Sequence, residues 1–441
     1  ININWSKKNM SNNINSIAVL GSGTMGAGIA ALCLEKGFKV LLLDISDEAV
    51  VKGKNLILDE KYKMLSDKNF ISNLEIGVFS KDFSKISQYD WICEAVVEDI
   101  DIKKNIFNKI EEHRKDGSIV SSNTSGIPLR DIVKGMPDRM LRDVCITHFF
   151  NPVKVMKLCE LIPGNQTSEE VKNTLKFFLG DILGKGVVNA KDTVNFIGNR
   201  IGCFFMLKGL YEGRVARNNN ITIEKMDALL SKPVGLPPTG LYGLIDLIGL
   251  DVMYSVGKNL EINLPKEDLG RKYVSLPKEE KKLYENGQLG RKTGGGFYRI
   301  KKQDDGQKIK EVYDLEKEIW LPSKKETINE NLDLMLKSTI EGTYIWNVMG
   351  QTLLYAADLI PEIAEDIVNI DNAMKWGFAW NKGPFEMLDE LGPLKVIEKC
   401  NNHNIRIPKM LQTLKDSSKS HFYSSEQEFL NLNGEYEKIK L

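Results

Sequence analysis

The sequence predicts an α/β chain: a doubly wound, mostly parallel sheet in the first half, followed by two tandem all-α domains. Three observations carry this. Apolar strands and amphipathic helices alternate up to about residue 125. A glycine-rich turn joins the first strand to the first helix. Two segments of the second half repeat one spacing of aspartates and glycines.

Residues 1–13 precede the first apolar run. They lack a signal peptide's apolar core, and Met10 is a candidate start, so a flexible leader is expected. Ser16–Leu20, "SIAVL", is a short apolar run bounded by glycine and reads as a buried strand. "GSGTMGAGIAALCLEKG" then places small and apolar residues at helical spacing, and "KVLLLD" forms a second buried strand ending in Asp44. Further on, "DWICEAVVE" (90–98) and "GSIVSSNTS" (117–125) read as strands, with 101–114 as the helix between them.

Strand, turn, helix and strand within about 30 residues form the context of a dinucleotide fingerprint, the Rossmann type. Gly21 permits the tight turn, Gly23 lets the backbone approach a pyrophosphate, and Gly26 lets helix and strand pack closely. Thr24 and Met25 complete that turn, whose helix start meets the phosphate charge. Asp44, 18 residues after Gly26, suits the adenosine ribose hydroxyls. Ile45 and Ser46 offer no cation, so NAD is favoured over NADP. Ligands of such sheets sit beyond the carboxyl ends of the strands. Glu98, Lys103 and Asn123, expected to bind the cofactor, and Ser125 and His148 all follow predicted strands, so the topology directs them toward one crevice.

His148 opens "HFFNPVKVMKLCE", and Glu160 follows twelve positions later. Oxidation of an alcohol by hydride transfer needs a base, and histidine has the suitable pKa. Glu160 lies in the apolar "VMKLCELI", where an unpaired carboxylate is costly. The local pattern alone leaves two readings open: a general base with its carboxylate, or a histidine packed beside an apolar strand.

Four ordered motifs then carry a resemblance. "GSGTMG", "SSNTSGIPL", "THFFNPVKVMKLCELIPG" and "KDTVNFIGNRIG" together resemble the 3-hydroxyacyl-CoA dehydrogenases from about residue 16 to the C-terminal region. The resemblance implies that His148 is the base and Glu160 its orienting partner, and that Ser125 and Asn199 contact substrate near the reacting oxygen. It also places Glu98 and Lys103 near the nicotinamide half of NAD. The implied reaction is reversible oxidation of an (S)-3-hydroxyacyl-CoA to the 3-ketoacyl-CoA, in β-oxidation or short-chain acyl-CoA metabolism. One departure is Val194, where the family usually has proline; its loss frees the backbone leading to Asn199.

From Asn195 on, helical patterns dominate. Segments 226–252 and 370–396 share Asp, a glycine-bearing bend, and an apolar run ending Asp-x-x-Gly; the aspartates are Asp227 and Asp246 in one, Asp371 and Asp389 in the other. The expected organisation is an NAD-binding domain over 14–193, helical copies over 194–300 and 331–430, a linker over 301–330 and a tail over 431–441. Family members either dimerise through one such domain or carry two, so a monomer or a homodimer is implied. "GRKTGGGFY" (290–298) is read as a turn, there being no Walker pattern. The wording of several motifs resembles the dehydrogenase part of fusions with an enoyl-CoA hydratase. This implies a hydratase module or a separate hydratase, with a thiolase beyond.

Bulk properties exclude other classes. Sixty basic and sixty acidic residues cancel, which suggests neither nucleic acid nor an acidic membrane surface as partner. No apolar run approaches a membrane span of about 18–20 residues. Six scattered cysteines without a CxxC pair fit free thiols in a reducing cytoplasm, not disulfides or a metal site. "PKEEKKLYEN" (277–286) reads as a solvated helix face. Two rivals are a 3-hydroxyisobutyrate-type dehydrogenase, which would use a catalytic lysine, and a non-catalytic NAD-binding structural protein of the same fold. The CoA-binding lysine stays open among Lys52, Lys54, Lys61 and Lys63, all on an expected helix.

Overall fold

A computed structural model describes residues 14–303 and 305–439; the expected leader lies outside them. The chain divides into two compact units, Ile1–Ile197 and Gly198–Leu441.

The first unit is built on an eight-stranded sheet in the order β3-β2-β1-β4-β5-β6-β7-β8. The strands are β1 (Ser16–Leu20), β2 (Lys39–Asp44), β3 (Leu74–Val78), β4 (Trp91–Glu94), β5 (Ile119–Ser122), β6 (Val144–Phe149), β7 (Leu158–Pro163) and β8 (Gly186–Asn189). β1 to β6 pair in parallel, β7 runs antiparallel to β6, and β8 is parallel to β7. Ile17, Ala18, Val40 and Leu41 have no exposed surface, as expected for strands covered on both faces. Helix α1 (Thr24–Glu35) follows β1 and helix α2 (Asp47–Leu58) follows β2. The chain reverses direction across the sheet between β1 and β4, and ligand sites of doubly wound sheets open at such a point.

Lys52 and Lys54 lie on α2 as expected, but Lys61 and Lys63 lie beyond its end at Leu58. Lys63 has φ 47°, a left-handed value that no helix interior accepts.

The second unit is mainly helical. It opens with the long helix Gly198–Asn218. One set of polar contacts then occurs twice. Asp227 accepts the N–H groups of Tyr242 (2.7 Å) and Gly243 (3.2 Å) and the hydroxyl of Tyr298 (2.8 Å). Asp371 accepts those of Phe385 (2.8 Å) and Glu386 (3.2 Å) and the hydroxyl of Tyr423 (2.8 Å). Asp246 takes the N–H groups of Phe297 and Tyr298, as Asp389 takes those of Phe422 and Tyr423. The ring of Tyr242 meets Phe297 edge-on at 4.8 Å, and Phe385 meets Phe422 at 4.9 Å.

Each set leads into a three-stranded antiparallel sheet. The first joins β9 (Tyr298–Lys302), β10 (Lys308–Asp314) and β11 (Ile319–Pro322). The second joins β12 (Tyr423–Ser425), β13 (Glu428–Leu430) and β14 (Tyr436–Lys438). Residues 301–330, expected as a linker, therefore hold two strands, and the expected tail holds β14. The helix Lys278–Glu285 is not wholly solvated either: Glu280 is fully buried, 3.3 Å from the Arg217 guanidinium. "GRKTGGGFY" is a turn closed by reciprocal backbone bonds between Gly290 and Gly295. Among the described residues, no single helix is long and apolar enough to cross a membrane.

Candidate active site

The glycine turn is dictated by space. Gly21 has φ +101°, and a Cβ there would lie 2.5 Å from the Ala95 carbonyl oxygen. At Gly26 a Cβ would lie 1.8 Å from the Gly21 oxygen, so the first turn of α1 packs directly on the loop. Gly23 caps α1, and a Cβ there would meet nothing within 4 Å. Open space thus lies over a helix start whose first N–H groups have no intrahelical acceptor, which suits a pyrophosphate. Met25 is partly buried against the core beneath. Asp44 ends β2 and turns to this loop; its Oδ2 accepts the Ser22 N–H (2.6 Å) and hydroxyl (2.5 Å). Gly23, Thr24, Asp44, Lys52 and Tyr62 line one cleft, where the Asp44 carboxylate fits the ribose hydroxyls of an adenosine. Of the four candidate lysines, Lys52 is the one that lines it.

Across the switch point the chemistry-bearing residues gather in the first unit. β6 and β7 pair with His148 directly opposite Glu160, which is why twelve residues separate them: the spacing is that of a hairpin. His148 Nδ1 and Glu160 Oε2 are 2.7 Å apart. Glu160 has no exposed surface and His148 only 4%. The other carboxylate oxygen, Oε1, accepts the Ile197 N–H at 3.1 Å. An acceptor-only carboxylate at Nδ1 makes that nitrogen the protonated one, and it leaves the lone pair on Nε2. Phe150 and Phe196 flank the imidazole, with ring centres 4.5 and 5.7 Å away.

Phe196 reaches this place through an unusual backbone. Asn195 and Phe196 have φ of 60° and 52°, left-handed values that cost a non-glycine residue about 1–2 kcal/mol each. Asp192 anchors the segment by accepting the N–H groups of Leu129 (2.6 Å) and Arg130 (2.9 Å). The segment around Val194 is thus tied down at its start.

Ser125 lies on the loop after β5. Its N–H donates to Glu98 Oε1 at 2.9 Å and its hydroxyl lies 3.3 Å from the same oxygen. Thr124 Oγ1 (2.6 Å) and the Gly126 N–H (3.1 Å) meet that oxygen too. Burial acts to raise the Glu98 pKa, but the Lys103 ammonium and these donors outweigh it, so the carboxyl titrates below its usual range. Lys103 is buried, with 1% exposure, between Glu94 (2.8 Å) and Glu98 (3.3 Å). Asn123 directs its Oδ1 to the Phe149 N–H (2.9 Å), bracing the strand of His148. Asn199 belongs to the second unit, in the first turn of helix Gly198–Asn218.

Sequence reasoning missed Glu94, Ser122, Asp192 and Phe196. Glu94 carries the same signal as Glu160, a carboxylate within an apolar run. All six cysteines are buried, and desolvation pushes every thiol pKa up, which leaves them unreactive.

Comparison with known proteins adds to this geometry. Residues 16–193 match the NAD-binding domain of 3-hydroxyacyl-CoA dehydrogenase, and residues 196–300 match the C-terminal domain. A Bacillus subtilis protein named as a 3-hydroxyacyl-CoA dehydrogenase is 35% identical over 98% of this chain and 58% of its own length. A Rickettsia prowazekii protein named as a fatty acid oxidation complex trifunctional enzyme is 35% identical over 91% of this chain and 57% of its own. The chain thus spans less than three fifths of either relative. The fold is similar to that of 3-hydroxybutyryl-CoA dehydrogenase from Escherichia coli, with TM-score 0.69, 22% identity, and coverage of 91% of this chain and 98% of that one.

Proposed function

The chain belongs to the 3-hydroxyacyl-CoA dehydrogenase family, and on that premise we propose that it catalyses the NAD-dependent, reversible oxidation of (S)-3-hydroxyacyl-CoA to 3-ketoacyl-CoA. The observation that carries this reading is the buried His148–Glu160 pair, 2.7 Å apart across two strands of the NAD-binding domain.

Gly21, Gly23, Thr24 and Gly26 would hold the pyrophosphate, and Asp44 the adenosine ribose. Bound NAD supplies the hydride acceptor. His148 Nε2 takes the proton of the C3 hydroxyl and returns it in the reverse direction. Glu160 fixes the tautomer and stabilises the imidazolium that forms. Ser125 donates to the C3 oxygen, where negative charge develops during reduction. Asn199 is assigned to the same oxygen on the resemblance. Glu98 and Lys103 belong to the nicotinamide side; the burial of Lys103 favours an effect through Glu98. Asn123 acts on His148 through Phe149.

Substrates come from a hydratase and products pass to a thiolase. The name of the Rickettsia relative supports that setting, with a hydratase either fused or separate. Buried thiols fit a reducing cytoplasm.

The test is NADH oxidation with acetoacetyl-CoA and longer 3-ketoacyl-CoA thioesters, wild type against His148→Gln. Activity in the wild type and its loss in the variant are expected. Wild-type rates in the variant would reject the His–Glu mechanism. NADH binding without turnover of any thioester would favour a structural protein.

A further inference from the structure

The carboxylate that holds the Ser125 loop is itself held from behind. Lys103, 3.3 Å from Glu98 Oε2, donates to Glu94 Oε1 at 2.8 Å. Glu94 ends β4 with no exposed surface. Its Oε1 also accepts the Val96 N–H (2.8 Å), and its Oε2 accepts the Ser122 hydroxyl (2.5 Å). Ser122 Oγ in turn receives the Thr124 N–H at 3.2 Å. Two carboxylates thus share one dry ammonium, and both connections end on the segment that presents Ser125.

We propose that Glu94 is a positioning residue for the dehydrogenase reaction, setting the Ser125 hydroxyl through Lys103 and Glu98; this rests on the function proposed above. An ammonium carries three N–H groups, and one bond to Glu94 fixes the direction of the others. Without that anion, Lys103 is drawn onto Glu98. The Glu98 carboxylate then turns about the oxygen that gathers Thr124, Ser125 and Gly126. The Ser125 hydroxyl makes the longest contact with that oxygen, at 3.3 Å against 2.6 Å for Thr124, so its distance to the carboxylate changes as that oxygen moves. Glu94 itself touches no reacting atom.

A double-mutant cycle separates positioning from general weakening. Wild type, Glu94→Gln, Ser125→Ala and the double variant are assayed for kcat and KM with acetoacetyl-CoA, and for NADH affinity by fluorescence. Glu94→Gln alone is expected to lower kcat at least about tenfold, the scale of a bond to a charged group. In the Ser125→Ala background it should add less than about twofold. Equal losses in both backgrounds, or an unchanged kcat, overturn the proposal. Should Glu94→Gln fail to fold, Ser122→Ala removes a single partner of Glu94 and runs through the same cycle, with a loss of about threefold expected and the same two outcomes rejecting it. An inactive wild type would reject the function itself. An active wild type with an additive cycle would reject this inference alone.

Discussion

At the residue scale, the site depends on which nitrogen of one imidazole carries a proton. Glu160 meets Nδ1 in a buried setting, where His148 is only 4% exposed and Glu160 has no exposed surface. Replacing His148 by Gln removes the base and should lower kcat by about 10²–10⁴-fold. Glu160→Gln keeps the shape but can present an amide N–H to Nδ1, which favours the wrong tautomer. A loss near 10⁴-fold is expected there. Neither change touches the glycine turn, so NADH affinity should stay within about twofold, as checked by fluorescence titration; a large loss of binding would place His148 in the cofactor pocket instead. Gly26→Ala should do the reverse. A Cβ 1.8 Å from the Gly21 oxygen must displace α1 from the loop, so NADH binding should fall while the helical unit keeps its circular dichroism. The His–Glu pair was legible because a hairpin keeps partners close in sequence. Glu94 was not, because its contacts cross from β4 to a helix nine residues on and to β5, 28 residues on.

At the element scale, the buried strands were legible and the exposed ones were not. "SIAVL" and "KVLLLD" are apolar on both faces and admit one reading. β9 and β10, "YRIKK" and "KIKEVYD", pair with each other while much of their surface meets water, so their lysines read as a linker. The aspartate repeat was visible as spacing, and the contacts give it a cause: each aspartate gathers the N–H groups of the next segment. Burial pushes the pKa of Asp227 up to about 7, that of Asp246 to about 6, and that of Asp371 to about 8, from an ordinary 3.8. Repulsion by Glu386 adds to burial at Asp371. With folded values raised, the native state binds more protons than the unfolded chain between about pH 4 and pH 8. The stability these groups contribute is fully present below about pH 4 and is lost as pH rises through 6 to 8. The thermal midpoint should therefore fall by at least about 4 °C between pH 5 and pH 8. Asp371→Asn and Asp227→Asn, which do not titrate, should each flatten that slope whatever they do to the midpoint itself. A slope unchanged in both would show that these carboxyls are already ionised at pH 5.

At the scale of the whole molecule, the second helical set takes up surface that the first would otherwise expose. Within the second unit, the long helix Gly198–Asn218 meets residues more than 140 positions later. Tyr355 stacks on Phe204 with ring centres 4.1 Å apart, and Trp380 meets Phe205 edge-on at 5.8 Å. A Cβ at Gly202 would lie 2.0 Å from the Phe378 ring. Arg200, 1% exposed, donates to the Tyr355 hydroxyl (2.7 Å) and to Glu362 (3.0 Å). A guanidinium so deeply placed is costly without partners, and here they come from the same chain. We propose that the two sets are copies of one module and that the second covers a face of the first that would otherwise be open to a partner chain. The chain should then be a monomer of 49.8 kDa at micromolar concentration, as measured by light scattering on a sizing column. Arg200→Ala should lower the thermal midpoint without changing the mass, because the face it leaves unpaired stays internal. A mass near twice the monomer's, lost in Arg200→Ala, would show instead that this helix face lies at an interface between copies.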